Sequence, residues 1–211
     1  MKNLFTVFFI FLSAPLFLSG CFGGKAAQQQ ALAQKRTFIP LAGAAQPLSP
    51  SPAFAAVKVR PFRAMPPFDG RSFIVRRADG EFAADFYNGW IALPNELIRV
   101  QTARYLEEAK LFSAVYDSGC GTAAALGLEG IVSELYLDCA GPAPAAVVTL
   151  RLLVLDEQTP AFRVLFTAEK QARVNVASSS PSAASQAFGK ALTQALEALV
   201  HELAAAPLPK Q

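Results

Sequence analysis

Between Phe162 and Val174 apolar and polar side chains alternate almost without a fault, and this pattern narrows the fold more than any other stretch. Phe162, Val164, Phe166, Ala168, Ala172 and Val174 fall on one side; Arg163, Thr167, Glu169, Gln171 and Arg173 fall on the other. A helix would scatter these residues around its circumference, whereas an extended chain places them on two opposite faces. The stretch therefore reads as a long strand of a sheet with one face on a core and one face wet.

Other segments share this character. Leu126 to Asp138 and Ala145 to Leu155 read as two further long strands separated by Gly141-Pro142-Ala143-Pro144, the second with Val148, Leu150, Leu152 and Val154 on one side. Val57-Lys58-Val59-Arg60 alternates and is stopped by Pro61. Ser72 to Arg77 and Glu81 to Tyr87 flank Ala78-Asp79-Gly80, whose Asp-Gly pair favours a tight antiparallel hairpin. Arg36 to Leu41 reads as a first strand and Leu111 to Tyr116 as a later one. Two segments switch to helical spacing. Pro94 suits a first helical turn, and Leu97, Ile98, Tyr105, Leu106 and Ala109 recur after it. Ser180 is placed to cap a second helix with Pro181 at its first position, followed by the stripe Phe188, Leu192, Leu196, Leu199 and Leu203. The sum is an α+β fold: a single domain over 36–206, a mainly antiparallel sheet with two helices packed on one face.

The N-terminus is of another kind. Lys2 precedes an apolar run from Leu4 to Phe17, and Leu18-Ser19-Gly20-Cys21 closes it with small residues. A positive start, an apolar middle and a small-residue end make a secretory signal over 1–20. A membrane-spanning helix is the alternative, but it needs about 20 apolar residues, and this run is shorter and holds Pro15. Leu-Ser-Gly-Cys resembles the lipobox of bacterial lipoproteins. That resemblance implies a diacylglyceryl thioether on Cys21 and an acyl chain such as palmitate on its amine. Several chains together anchor stably where one binds marginally. Residues 21–35, mostly Gly, Ala and Gln after the anchor, read as a lipidated N-terminus and flexible tether.

Charge excludes one class of partner. The formal charge is +3, and removing 1–20 takes away only Lys2, leaving +2 with no block of like charges. Nucleic-acid binding calls for a clustered basic face, so none is expected. Cys120 and Cys139 lie at turn-like sites and would be exported to an oxidising compartment, where a bridge between them is expected; two separate free thiols are the alternative. A single histidine and no close cysteine pair leave no expected metal centre or cofactor.

No catalytic residue is expected either. His201 lies off the apolar stripe beside Glu197, an exposed pair without a nucleophile. Glu107-Glu108 and Asp156-Glu157 read as solvated surface charge. Asp85-Phe86-Tyr87-Asn88-Gly89-Trp90 is richer in aromatics than packing demands. Phe86, Tyr87 and Trp90 are candidates for partner contact, with burial in the core as the competing reading.

The order of motifs is itself informative. Val59-Arg60-Pro61-Phe62, Phe73-Ile74-Val75-Arg76, Asp85 to Trp90 and Leu93-Pro94 follow closely. Leu111-Phe112-Ser113-Ala114-Val115, Leu128-Glu129-Gly130, Glu134 to Asp138 and an Ala-Leu helix come after. This series resembles the ABC-type transport auxiliary lipoprotein family over roughly Phe54 to Ala204, by many weak motifs rather than one diagnostic signature. The resemblance implies a non-catalytic partner of ABC transport systems whose MCE-domain component handles lipids or hydrophobic solutes. It implies contact with that MCE-domain protein and the ABC transporter subunits, and attachment to the outer membrane, for which Phe22 in place of Asp after the anchor also argues. The Cys120/Cys139 pair and the long Ala/Gln/Pro-rich lead-in depart from the family pattern. An assembly lipoprotein of an envelope complex, or a carrier with a lipid ligand in its own cavity, are the rival functions.

Overall fold

The strand built from Leu126 to Asp138 organises the whole sheet. The computed structural model describes residues 35–159 and 161–209. Along the chain the elements are β1 (Arg36–Phe38), β2 (Val57–Val59), β3 (Arg63–Ala64), β4 (Ser72–Arg76) and β5 (Phe82–Trp90), then α1 (Pro94–Ala109). There follow β6 (Val115–Asp117), β7 (Leu126–Asp138), β8 (Ala145–Asp156), β9 (Val164–Asn175) and α2 (Pro181–Ala204). One edge of β7 pairs antiparallel with β8 from Leu126↔Asp156 to Asp138↔Ala145. Its other edge is covered in succession by three short parallel strands: β2 at Leu126–Leu128, β3 at Ile131–Val132 and β4 at Tyr136–Asp138. Pro61 falls between the first two, where a missing backbone N–H does no harm to the ladder. The sheet is therefore mixed: the long β7–β8–β9 ladders and the β4–β5 hairpin are antiparallel, while β1–β5, β2–β6 and the three strands along β7 are parallel.

The core lies between this sheet and the helices. Val148, Leu150, Leu152 and Val154 are all fully buried, as the alternation requires. So are Phe188, Leu192, Leu196, Leu199 and Leu203, the apolar stripe of α2. Ser180 caps α2 by accepting a hydrogen bond from Ala183 N, and Pro181 opens its first turn. On α1 the cap carries no side-chain bond; Pro94 opens it and Lys110 closes it in a left-handed conformation.

Several strands differ from their sequence patterns: β1 stops at Phe38 instead of Leu41, β5 runs on to Trp90 instead of ending at Tyr87, and β3 has no counterpart in the pattern. β9 starts only at Val164, and Phe162 sits outside it at φ 46°, 45% exposed, with the Arg60 guanidinium 5.0 Å from its ring centre. On the apolar face of β9, Ala168 and Ala172 are buried, and Phe166 and Val174 are partly buried against the core. Leu111 to Tyr116 is strand only from Val115, because Leu111 and Phe112 are drawn into the core, where Phe112 bridges to Phe54.

The segment after β1 is held by side chains from both helices. Ser185 donates to Ile39 O, and Gln101 and Thr193 accept from the N–H groups of Ala42 and Gly43. Glu108 accepts from Ala45 N, and Arg104 donates to Ala42 O. Residues 39–45 therefore form a strap across α1 and α2. Every one of these bonds satisfies a backbone group that a loop would otherwise leave to water.

Candidate functional site

Trp90 and Phe86 stand four residues apart in one strand and meet opposite fates. Trp90 is 2% exposed, with ring centres 4.4 Å from Phe73 and 5.0 Å from Phe188. It is a core residue, which removes it from the candidates for partner contact: the end of β5 brings its ring against Phe188 of α2. Gly89 beside it is required by close approach, since a β-carbon there would lie 2.2 Å from Arg71 O.

Phe86 and Tyr87 remain outside, 79% and 53% exposed, their rings edge to face at 5.3 Å. The cause is a bulge. Ile74 pairs with Ala84 and Ser72 with Gly89, so β5 places Asp85 to Asn88 opposite the single residue Phe73. Asp85 holds the bulge in shape. Its Oδ1 accepts from Tyr87 N at 2.8 Å and Asn88 N at 3.1 Å, and its Oδ2 accepts from Asn88 Nδ2 at 2.7 Å. Asn88 is buried, and its Oδ1 has no partner among the described residues. Behind the bulge a cavity of about 280 Å³ is lined by Phe73, Asn88, Leu137, Val176 and Ala184.

A second exposed apolar row follows the β1 edge. Ile39 and Ile91 continue the β1–β5 ladder, with Ile91 N donating to Phe38 O. Leu41 and Leu93 come two residues later on each segment, and Val100 lies on α1 next to Gln101, which holds Ala42. These five are 39–64% exposed. An open groove of about 590 Å³ runs along the same strap, between Phe38, Leu41 and the α2 residues Ser185, Gln186 and Lys190.

The thiols do not meet, which overturns the expected disulfide. Val59 pairs with both Asp117 and Leu128, so the end of β6 lies level with Leu128. Cys120 is in the turn just after β6, bonded to Thr122; Cys139 follows the far end of β7. From Leu128 to Asp138 the strand spans roughly 33 Å, and the three residues from Asp117 recover at most about 10 Å. A disulfide needs Cα atoms about 4.4–6.8 Å apart. Both cysteines are free. Hydrogen bonding with Thr122 lowers the pKa of the half-buried Cys120 thiol, whereas desolvation by neighbouring atoms, followed by the charge of Asp138, raises that of Cys139, whose residue is exposed overall.

Of the four carboxylates noted in the sequence, Glu107 is exposed, as the solvated reading expects, and the other three are engaged. Glu108 holds the strap, and Glu157 and Asp156, 18% and 13% exposed, pair with Arg60 and Arg163. The burial of these two carboxylates departs from the solvated reading and follows from their place at the end of β8 beneath Arg60. On the wet face Glu134 accepts from Thr149 and Gln171, and Glu169 from Ser133 and Arg151. His201 is exposed near the end of α2. Cys21 and the segments 1–20 and 21–34 lie outside the described residues.

No family model matches the sequence, and no curated protein matches it. Solved structures share its fold. A Xanthomonas campestris protein of the family DUF330 aligns over 80% of this chain and 95% of its own, at 20% identity and a TM-score of 0.69. A further uncharacterized protein aligns over 76% and 99%, at 8% identity and a TM-score of 0.59. A Chlamydia trachomatis protein aligns over 73% and 98%, at 12% identity and 0.51. At these identities the likeness is one of fold: the strand order around β7 and the two covering helices form an architecture that very different sequences can build.

Proposed function

We propose that this chain is a lipid-anchored envelope protein, tethered through Cys21 at the outer membrane, that docks onto an ABC transport system of the MCE type and carries out no chemistry. The signal-like N-terminus and its Leu-Ser-Gly-Cys ending support the anchor, and the motif series from Val59 to the closing helix supports the transport setting.

The observation that carries the docking reading is the exposed apolar row Ile39, Leu41, Ile91, Leu93 and Val100. It follows the strap that leads out of β1, and a group of exposed apolar side chains of this kind favours a protein contact. The tether sets the working range. A tether of the length of residues 22–35, if it behaves as the Gly/Ala/Gln composition implies, would span about 20 Å on average and about 45 Å when extended. A domain hung in this way can reach a partner in the periplasm and stay attached to its own membrane.

The test is purification of the acylated chain from mildly solubilised envelopes. Recovery of an MCE-domain protein or ABC subunits, with loss of both in Leu41→Asp and Ile91→Asp variants that melt normally, supports the reading. Recovery of a secretion or assembly complex in their place contradicts it. Lipid retained in the groove beside Leu41 and Lys190, with no protein partner, would favour a carrier.

A further inference from the structure

The docking row leaves the Phe86–Tyr87 bulge unexplained. It lies apart from that row, at the other end of the β1–β5 ladder. The register pairs Arg36 with Asn88, so one residue back on each segment brings Lys35 level with Tyr87. The point where the chain from Cys21 enters the domain is thus the point where two aromatic rings stand in water.

Charge gathers at the same place. Lys35, Arg36 and Arg71 are all exposed, and none makes an ion pair among the described residues. Lys35 passes over Gly89 to donate to Ser72 Oγ, next to Arg71. Most other arginines are used up: Arg60, Arg76, Arg77, Arg99, Arg104, Arg151, Arg163 and Arg173 each face a carboxylate, which leaves Arg63 as the one further arginine without an ion pair among the described residues. Of the acids nearby, Asp85 has both oxygens committed to the bulge, and Asp69 stands exposed two residues before Arg71.

We propose that the Phe86–Tyr87 bulge, with Lys35, Arg36 and Arg71 around it, is a membrane-facing surface that seats the domain on an anionic lipid bilayer. The Tyr87 ring, with its hydroxyl edge, suits the headgroup level, the apolar Phe86 ring suits the acyl boundary beneath it, and cations beside them are drawn to anionic lipid. A docking protein would need a shaped counterpart for the bulge. A bilayer needs only the rings, the positive charge and proximity, and the chain leading back to Cys21 supplies the last. The surface rests on the anchor reading for that proximity, and it implies that the tether lies partly along the membrane with the Ile39–Val100 row left open.

The test uses the full acylated chain in vesicles of phosphatidylethanolamine and phosphatidylglycerol with brominated acyl chains, which quench nearby tryptophan. Trp90 is buried and gives a constant background. Phe86→Trp is compared with Val164→Trp, an exposed position on β9, the opposite edge of the sheet. The surface predicts quenching several times stronger at position 86, weakened by high salt and by the combined change Lys35→Gln, Arg36→Gln, Arg71→Gln. Equal quenching at both positions, or none at 86, overturns it. So does a response at 86 to added envelope protein alone. The mass of the same preparation reads acylation separately: an unmodified Cys21 counts against the anchor, while flotation of that chain with anionic vesicles at low salt still tests the surface.

Discussion

Gly189 on α2 lies directly beneath the carbonyl of Leu41, so close that a β-carbon at 189 would stand 2.2 Å from that oxygen. The strap cannot lie where it does over any larger residue. Gly189→Ala should therefore lift residues 39–43, break the bond from Ser185 to Ile39 O and the bond from Gly43 N to Thr193, and cost about 1–3 kcal/mol. Gly121→Ala, with nothing within 4 Å of its added carbon, should stay within about 0.5 kcal/mol of the parent. Urea unfolding of both variants measures the difference.

Trp90 and Phe86 give the sharpest contrast within one strand. Trp90→Ala should lower stability by about 3–5 kcal/mol, because it empties a site packed by Phe73 and Phe188. Phe86→Ala, at a position 79% exposed, should change stability by no more than about 0.5 kcal/mol. Thermal or urea melts separate the two, and equal costs would contradict the bulge.

Asp138 is buried at the end of β7, between Arg76 and Arg173. Burial pushes its carboxyl upward, but the hydrogen bond from Arg173, the Ala140 N–H and the two positive charges outweigh this and hold it below the usual carboxylate range. A lowered folded-state value means that its contribution is complete above the unfolded value of about 3.9 and is lost as pH falls through the folded one. Asp138→Asn should cost about 1–3 kcal/mol at neutral pH, and the gap to the parent should close in acid. A gap that persists unchanged into acid would show that the charge is not what matters.

The free thiols predict a chemical order. Both should alkylate without reductant, and Cys120 should react faster than Cys139, since its thiol is the one shifted toward the thiolate. Cys120→Ser should leave the melting curve nearly unchanged. A pair that resists alkylation until reduced would show that the two sites come together.

The sequence was most readable where periodicity is long. β7 and β8 span many residues with little interruption, and α2 announces both its cap at Ser180 and its stripe, so their limits are close to those expected. The parallel pairings of β1, β2, β3 and β4 were not readable, because strands of two to five residues carry too little pattern to reveal their neighbours. The aromatic stretch gave the right residues and the wrong grouping: nothing in Asp85 to Trp90 tells that a bulge places Phe86 and Tyr87 outside and Trp90 inside. The cysteine expectation failed for a related reason. Turns on either side of a long strand look adjacent in sequence and lie at its two ends in space.

The central claim, an envelope protein held by lipid, is tested most directly by the N-terminal peptide of the protein isolated from bacterial envelopes. Fragmentation mass spectrometry should find a chain that starts at Cys21 and carries the diacylglyceryl thioether and an acylated amine. A chain that keeps residues 1–20, or begins elsewhere, or bears an unmodified Cys21 would contradict the account.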